Sequence, residues 1–211
     1  MIDPWNDIPL EIYESHMSLE KVGQLQALCG IMKEQFEVTC ADTVMILGAA
    51  GGNGLENIPP ERFEKVYCVD INQSYLDRIP ERYPQLEDVT ELICTDLRIS
   101  ADILPGAGLL IADLIIEYIG YDCFESVVKA VHPEYVSCAV QADTGEGFVS
   151  ESPYLHHFDG LESIHCSIDS AKLEKLLSSL GYRCVKNKVY PLPNGKSLVR
   201  VDGIFDEKTF I

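Results

Sequence analysis

Positive charge is scarce in this chain. Its 211 residues include 16 Lys and Arg against 34 Asp and Glu, so the formal net charge is −18. Proteins that bind nucleic acid or anionic membranes non-specifically do so through basic patches. The composition therefore disfavours nucleic-acid and membrane partners, although a specific local groove stays open. Acidity that serves solubility alone is an equally good interpretation.

Long hydrophobic runs are also lacking. No apolar run approaches the roughly 18 residues that a membrane-spanning helix needs. Residues 1–5 have no cationic start, so we expect no secretory signal. The eight cysteines include no Cys-x-x-Cys pair, which argues against a zinc or redox motif. Four of them lie in apolar runs, where a reduced cysteine behaves as a small hydrophobic residue. We therefore expect a cytoplasmic protein.

A short strand and the turn after it organise the chain. Residues 43–47 are apolar and partly β-branched, which predicts a buried strand. Positions 48–54 include four glycines, which permit positive φ and close approach of a ligand to the backbone. Residues 53–58 are predicted to begin a helix that points its free N–H groups at the turn. Such a crossover opens the binding half of a doubly wound α/β fold, although a tight turn need bind nothing.

The rest of the chain alternates predicted strands and helices. Strands are expected at 65–70, 91–96, 108–113, 134–141, 182–190 and 197–205, and helices at 18–36, 72–79, from Asp122 onward, and at 169–180. The connection 191–196 is too short for a parallel crossover, so the last two strands form an antiparallel hairpin. We predict one α/β domain over 1–211, with a Rossmann-like core at 42–205. The helical segment 1–38 is expected to act as a lid over the ligand crevice.

Acidic residues end three of the predicted strands. Asp70 lies 22 residues after Gly48, near the ~20-residue spacing at which a carboxylate meets a ribose diol in Rossmann-type folds. Asp96 ends the third strand and Asp113 the fourth. Asp70 is expected to face the crevice, although a strand-end acid can simply cap the next helix. Asp96 can equally form a surface pair with Arg98.

The glycine turn resembles the cofactor loop of the class I S-adenosylmethionine-dependent methyltransferases, and the resemblance extends over residues 42–205. The matching residues are Gly48, Ala49, Ala50, Gly51 and Gly52. In that family the loop packs against the methionine part and ribose of the cofactor. Ala50 replaces a glycine, and Ile46 stands where the family often has an acid. The resemblance implies a doubly wound, mostly parallel seven-stranded sheet in the order 3-2-1-4-5-7-6, with S-adenosylmethionine as cofactor.

The strand-end acids extend the resemblance. Asp70, with its neighbour Ile71, matches the acid that holds the ribose hydroxyls. Asp96 matches the acid that reaches the adenine amino group, and Leu97 the neighbouring backbone contact. Asp113 lies where the fourth strand of the family meets the methyl-transfer site. The predicted function is methyl transfer from S-adenosylmethionine to an unidentified acceptor, with a small molecule favoured.

Two alternatives stay open. A nicotinamide-dependent oxidoreductase has a similar first half, but this turn lacks G-x-G-x-x-G because Asn53 occupies the third position after Ala50. A catalytically inactive binding or scaffold domain of the same fold is the other alternative. The inactive domain stays a serious alternative because the sequence identifies no catalytic base.

Candidates for the acceptor site follow the fourth strand, lie in the long irregular stretch 142–167, or precede the first strand. The catalytic candidates are Asp113, Tyr118, His156 and His157, and the substrate or lid candidates are Tyr13, His16, Glu117 and Tyr154. Histidine suits proton transfer near neutral pH. Each residue also has an ordinary interpretation as packing, helix entry or a solvated side chain. The adjacent histidines have no acid spaced with them as a ligand set, so no metal site is predicted.

Overall fold

A computed structural model describes residues 3–59, 61–142 and 147–206. Its seven strands form one sheet in the order β3-β2-β1-β4-β5-β7-β6. The strands are β1 (Thr43–Leu47), β2 (Lys65–Asp70), β3 (Thr90–Cys94), β4 (Leu109–Asp113), β5 (Tyr135–Gln141), β6 (Tyr182–Pro191) and β7 (Ser197–Phe205). Strands β1 to β5 pair in parallel, whereas β7 pairs antiparallel with β5 and β6. The predicted strand order and terminal hairpin are confirmed.

The central strands are apolar on both faces because helices cover both sides of the sheet. The helices are α1 (Leu10–Ser18), α2 (Gln24–Phe36), α3 (Gln73–Leu76), α4 (Arg78–Arg82), α5 (Leu97–Ser100), α6 (Ile116–Val131) and α7 (Ser170–Ser179). Helices α6 and α7 pack on one face, and α2, α3 and α4 pack on the other. In the described ranges, every helix is too short or too polar to traverse a bilayer.

Several predicted helix boundaries are wrong. Ser18 ends α1, and α2 begins at Gln24 after Gly23, which has a left-handed φ of 66°. The helix expected from Asp122 is present and begins directly after Gly120, whose non-helical φ of 76° and ψ of 170° separates it from an unpredicted helical turn that starts at Ile116. The helix expected at 53–58 is reduced to a 3-10 turn, Leu55–Asn57, after Gly54 at a φ of 98°. The glycine turn therefore has no long helix pointing at it.

The N-terminal residues lie over the carboxyl edge of the parallel strands. The Trp5 carbonyl accepts a hydrogen bond from Asn72 Nδ2 at 2.9 Å, and the Ile8 carbonyl accepts one from the Tyr75 hydroxyl at 2.7 Å. Residues 3–18 form the N-terminal strap, whereas α2 packs into the core. Residues 1 and 2 of the predicted lid, 143–146 of the long stretch and 207–211 lie outside the described residues.

We predict that deleting residues 1–17 lowers both stability and cofactor affinity. Ile8, Leu10 and Met17 are buried to 4–5% exposure, and each such side chain contributes about 1.5–3 kcal/mol to the free energy of unfolding. Thermal melting and calorimetry with S-adenosylhomocysteine measure the two effects.

The matched control keeps that apolar burial and removes only two ion pairs of the strap, as the double variant Asp3→Asn, Glu14→Gln. Both arginine partners are part-exposed, where an ion pair contributes about 0–1 kcal/mol, and an asparagine oxygen at position 3 can still accept the Trp5 N–H, so its melting temperature should change little. An affinity loss in this control assigns the strap a role in closure. An unchanged affinity in both proteins would reduce the strap to packing.

Candidate functional site

The glycine turn after β1 is shaped by close neighbours. Gly48 has a φ of 66°, and a Cβ there would lie 3.2 Å from the Ile115 side chain. Gly52 has a φ of 82°, and a Cβ there would meet Tyr83 at 2.8 Å. Ala50 also has a positive φ, 46°, which is strained for a residue with a side chain and is found most often at functional sites. The turn thus keeps a backbone that ordinary residues avoid.

Asp70 braces this turn from the end of β2. Its Oδ2 accepts the Ala50 N–H and its Oδ1 accepts the Asn72 N–H, each at 2.9 Å. Burial raises the pKa of the Asp70 carboxyl, and the backbone N–H groups oppose that shift. Each carboxylate oxygen has a further lone pair, so Asp70 can accept from a ligand as well.

A cavity of about 700 Å³, the first cavity, opens beside Asp70. That space includes open solvent, so the first cavity is a cleft in the surface rather than a closed chamber. The sequence-predicted residues that line it are Gly48, Ala50, Asp70, Ile71, Tyr13, Asp96, Leu97, Asp113 and Tyr118. Ala49 lines a separate hollow between the turn and α2, and Gly52 packs against Tyr83. The carboxyl ends of the parallel strands thus bring most of the predicted cofactor residues together.

Arg98 ties the strap to the far side of the first cavity. Its Nη2 lies 2.7 Å from Asp96 Oδ2 and 2.6 Å from Asp3 Oδ2. The guanidinium lowers the pKa of the Asp96 carboxyl, so Asp96 is an anion at neutral pH. The surface pair considered from the sequence exists, and it also lines the cavity.

A second ion pair crosses the glycine turn. Arg82 Nη2 on α4 lies 2.9 Å from Glu14 Oε2 on α1, and Arg82 Nη1 donates to the Gly51 carbonyl at 3.1 Å. A Cβ at Gly51 would meet the Arg82 and Leu10 side chains at 2.6 and 2.7 Å. The turn is therefore covered by the strap, and a side chain at Gly51 would displace the Arg82 and Leu10 side chains.

The second cavity, about 530 Å³, adjoins the first. Trp5, Tyr13, Leu114 and Tyr118 line both cavities. The remaining residues that line the second cavity are His16, Met17, Gln24, Glu117, Gln141, Phe148, Val149, Phe158, Leu161 and His165. Leu114 has a left-handed φ of 53°, so a strained backbone lies in the shared wall. Two compartments with a common wall suit two ligands that react with each other.

Glu117 is the carboxylate of the second cavity. It is 3% exposed, and its Oε1 accepts the Gln141 N–H at 2.8 Å. Its Oε2 is buried and has no partner within the described part of the chain. Burial raises the pKa of Glu117 to about 7, and Asp113 adds to the shift.

The predicted histidines separate into two groups. His16 is buried, with its Nδ1 2.7 Å from the Ser152 hydroxyl, and burial lowers its pKa. His156 and His157 are exposed, His156 to 91%, on the 3-10 turn Leu155–Ser163. The structure therefore does not bring these two catalytic candidates to either cavity. His165 is the histidine of this stretch that lines the second cavity, stacked 3.9 Å from the Phe148 ring.

Tyr154 belongs to the apolar cluster beneath the strap, around Phe158 and Leu161. Tyr13 stacks on Tyr75 with ring centroids 6.3 Å apart, and Tyr118 meets the Trp5 ring edge-on at 5.1 Å. Burial raises the pKa of both Tyr13 and Tyr118. These phenols are therefore hydrogen-bond donors rather than bases at neutral pH.

Asp113 connects the first cavity to a buried polar network. Its Oδ1 accepts from Gln35 Nε2 at 2.9 Å, and Gln35 also donates to Ser137 Oγ at 2.9 Å. Burial raises the pKa of Asp113 to about 7, opposed by Gln35 and by the charge of Arg200. The sequence offered no sign of this network, because its members lie on four different elements.

We predict that Glu117→Gln changes the pH dependence of stability. The carboxyl titrates near 4.5 when unfolded and near 7 when folded, so the folded state holds its proton longer. Linkage then makes the free energy of unfolding fall as pH rises from about 4.5 to about 7. The glutamine variant escapes this loss, on the order of 3 kcal/mol at most, and should be more stable than wild type at pH 8 but not at pH 4.5.

Denaturant melts at the two pH values measure this difference. Asp113 titrates in both proteins, and because its charge adds to the pKa shift of Glu117, the comparison measures the coupled pair. Asp122→Asn, an exposed acid on the same helix, should show no such crossover. Parallel pH profiles for wild type and the Glu117 variant would contradict the assignment.

Solved structures of methyltransferases share this fold. Magnesium protoporphyrin IX methyltransferase from Synechocystis PCC 6803 matches with a TM-score of 0.63 at 10% identity, covering 97% of this chain and 90% of that one. It has been crystallised with S-adenosylmethionine and with S-adenosylhomocysteine. The N-methyltransferase NodS from Bradyrhizobium japonicum, in complex with S-adenosylhomocysteine, matches at 0.62 and 15% identity, covering 98% and 94%. The chain therefore has the class I S-adenosylmethionine-dependent methyltransferase fold.

The fold alone does not name a reaction. The cyclase SpnF matches at a TM-score of 0.62 and 6% identity, covering 85% of this chain and 80% of that one. The sequence itself matches no family of known proteins and no curated protein. The residues of the site determine which reaction a protein of this fold catalyses.

Proposed function

We propose that this chain is an S-adenosylmethionine-dependent methyltransferase that acts on a small molecule. The observation that carries the proposal is the pair of adjoining cavities at the carboxyl edge of the sheet, one beside Asp70 and the glycine turn, the other around Glu117. Ligands of doubly wound folds bind at this edge. A net charge of −18 favours a small acceptor over a nucleic acid.

The residues of the first cavity fit S-adenosylmethionine. Asp70 uses one lone pair of each oxygen on the backbone and keeps others for the ribose hydroxyls. Asp96 and Leu97 border the position proposed for adenine, where the anion is held by Arg98. Gly48 leaves open the space that a Cβ would fill beside Ile115. When bound, this cofactor supplies a methyl group on a positively charged sulfur, which is already an activated leaving group.

The protein's own contribution is then alignment and exclusion of water. Trp5, Tyr13 and Tyr118 form an aromatic wall common to both cavities. The strap is fastened by Arg98 on one side and Arg82 on the other, so it can close both cavities together. Glu117 and Asp113 are the carboxyls available to hold a proton, because burial raises their pKa values to about 7.

The alternatives are a nicotinamide-dependent oxidoreductase and an inactive binding domain of the same fold. Calorimetry with purified protein separates them. We expect saturable binding of S-adenosylhomocysteine and no comparable binding of NAD. Saturable NAD binding without a response to S-adenosylhomocysteine would overturn the proposal. Binding of S-adenosylhomocysteine without methyl transfer to any tested acceptor would favour the inactive domain.

A further inference from the structure

The second cavity presents an acceptor atom that nothing in the described chain satisfies. Glu117 Oε2 is buried and without a partner, while Oε1 is held by the Gln141 N–H. A buried polar atom without a hydrogen bond is destabilising, and a buried carboxylate much more so. A ligand that donates a hydrogen bond to this atom would remove that destabilisation. The ligand of this cavity should therefore carry an N–H or O–H group.

Charge decides between the classes of donor. Among the described residues that line the second cavity, Glu117 is the only acid, and Lys and Arg are absent. Lys196 lies nearby, where its Nζ donates to the Phe148 carbonyl at 3.0 Å. An anionic ligand would meet the carboxylate of Glu117 with no lining Lys or Arg to offset it. A cationic ligand would instead restore the solvation that the carboxylate lost on burial.

Aromatic rings supply the rest of the recognition. Trp5, Tyr13, Tyr118, Phe148 and Phe158 all line this cavity. The faces of such rings attract cations, and ammonium groups are commonly held by aromatic side chains together with a carboxylate. Met17, Leu114, Val149 and Leu161 add apolar lining that suits a hydrocarbon substituent, whereas His16, Gln24, Gln141 and His165 add polar side chains.

We propose that the second cavity binds a small alkylamine, with its nitrogen donating to Glu117 Oε2 and its carbon chain against the aromatic wall. This names the acceptor class of the proposed methyl transfer and rests on that function. The amine arrives as an ammonium ion and passes one proton from nitrogen to Glu117 Oε2, which frees the nitrogen lone pair. That lone pair forms the new nitrogen–carbon bond while the methyl carbon–sulfur bond breaks and its electrons stay on sulfur.

The charges balance in this scheme. The positive charge of the sulfonium passes to the methylated nitrogen, and Glu117 releases its proton to solvent. A carboxyl with a pKa near neutrality suits that exchange, and burial raises the pKa of Glu117 to about 7. Glu117 thus contacts the substrate nitrogen in binding and accepts its proton before transfer.

Calorimetry with three probes of similar shape tests the proposal. The probes are 2-phenylethylamine, 2-phenylethanol and 3-phenylpropionate, each titrated with and without saturating S-adenosylhomocysteine. We expect the amine to bind at least about tenfold more tightly than the alcohol or the acid, as a charge-assisted hydrogen bond implies. Equal binding of amine and alcohol, or tighter binding of the acid, would overturn it.

Variants connect the preference to the residue. Glu117→Gln should weaken binding of 2-phenylethylamine at least about tenfold and leave S-adenosylhomocysteine binding unchanged. Asp122→Asn, the same charge change at an exposed position on α6, should alter neither. Unchanged amine affinity in the Glu117 variant would overturn the assignment. If that variant fails to fold, the probe comparison on wild type still decides.

The two proposals fail separately. Loss of S-adenosylhomocysteine binding with a retained amine preference would contradict the proposed cofactor and support the amine site. Retained S-adenosylhomocysteine binding without an amine preference would support the proposed methyltransferase and contradict the proposed amine acceptor.

Discussion

Asp70→Ala is expected to weaken binding of S-adenosylhomocysteine by about 10- to 100-fold. Each hydrogen bond to a charged group contributes roughly 1.5–3 kcal/mol, and about 1.4 kcal/mol is tenfold in affinity. The variant should also be less stable than wild type, because the N–H groups of Ala50 and Asn72 lose their acceptor. Calorimetry and thermal melting measure the two losses on the same protein.

Two comparisons sharpen this experiment. Asp70→Asn keeps one accepting oxygen, so it should lose less affinity than alanine, although its amide NH₂ must face the N–H of Ala50 or Asn72. Asp88→Ala, at an exposed acid before β3, should change neither quantity. If Asp70→Ala binds S-adenosylhomocysteine as tightly as wild type, Asp70 is only a brace for the glycine turn.

Asp202→Ala should give the largest loss of stability in this chain, about 3–5 kcal/mol, the usual result of removing one partner of a buried ion pair. Arg200 and Asp202 are both 0% exposed. Arg200 donates to Asp202 from Nε at 2.8 Å and from Nη2 at 2.7 Å. Without the carboxylate, a guanidinium remains inside the sheet with Glu34 as its other partner at 3.1 Å. Denaturant unfolding measures the loss.

The double variant Arg200→Met, Asp202→Leu should be more stable than Asp202→Ala, since it leaves no unpaired charge in the interior. Glu125→Gln, which removes an exposed pair with Lys129, should cost less than about 1 kcal/mol. If Asp202→Ala loses no more stability than Glu125→Gln, solvent reaches the pair of Arg200 and Asp202.

The sheet could be predicted from the sequence because its signals are local. Apolar runs mark the strands, and the short connection predicted at 191–196 forces the hairpin. The position of Asp70 beside the glycine turn follows from the meeting of parallel strand ends at one edge. The helix starts were less predictable: Gly23 adopts a left-handed φ, so the apparent cap at Ser18 does not mark where α2 begins, and the helical turn that precedes Gly120 has no local signal in the sequence.

The walls of the site depend on contacts between residues far apart in sequence. Asp3, Trp5 and Arg98 meet across more than 90 positions, and no spacing rule connects them. Likewise, His156, His157 and His165 occupy one irregular stretch, and only its path decides which of them lines the second cavity. Arg200 and Asp202 show the period of a strand, but a buried charge pair contradicts the usual exposure of charged residues.

Trp5 is the only tryptophan in the chain, and it lies in the wall that the two cavities share. Indole emission shifts with the polarity and contacts of the ring, and it can be excited apart from tyrosine. The tryptophan fluorescence of the unlabelled protein therefore originates at the candidate site alone. Stopped-flow mixing can consequently time the arrival of each ligand, and the order in which the two bind, without a reporter group that would alter the strap.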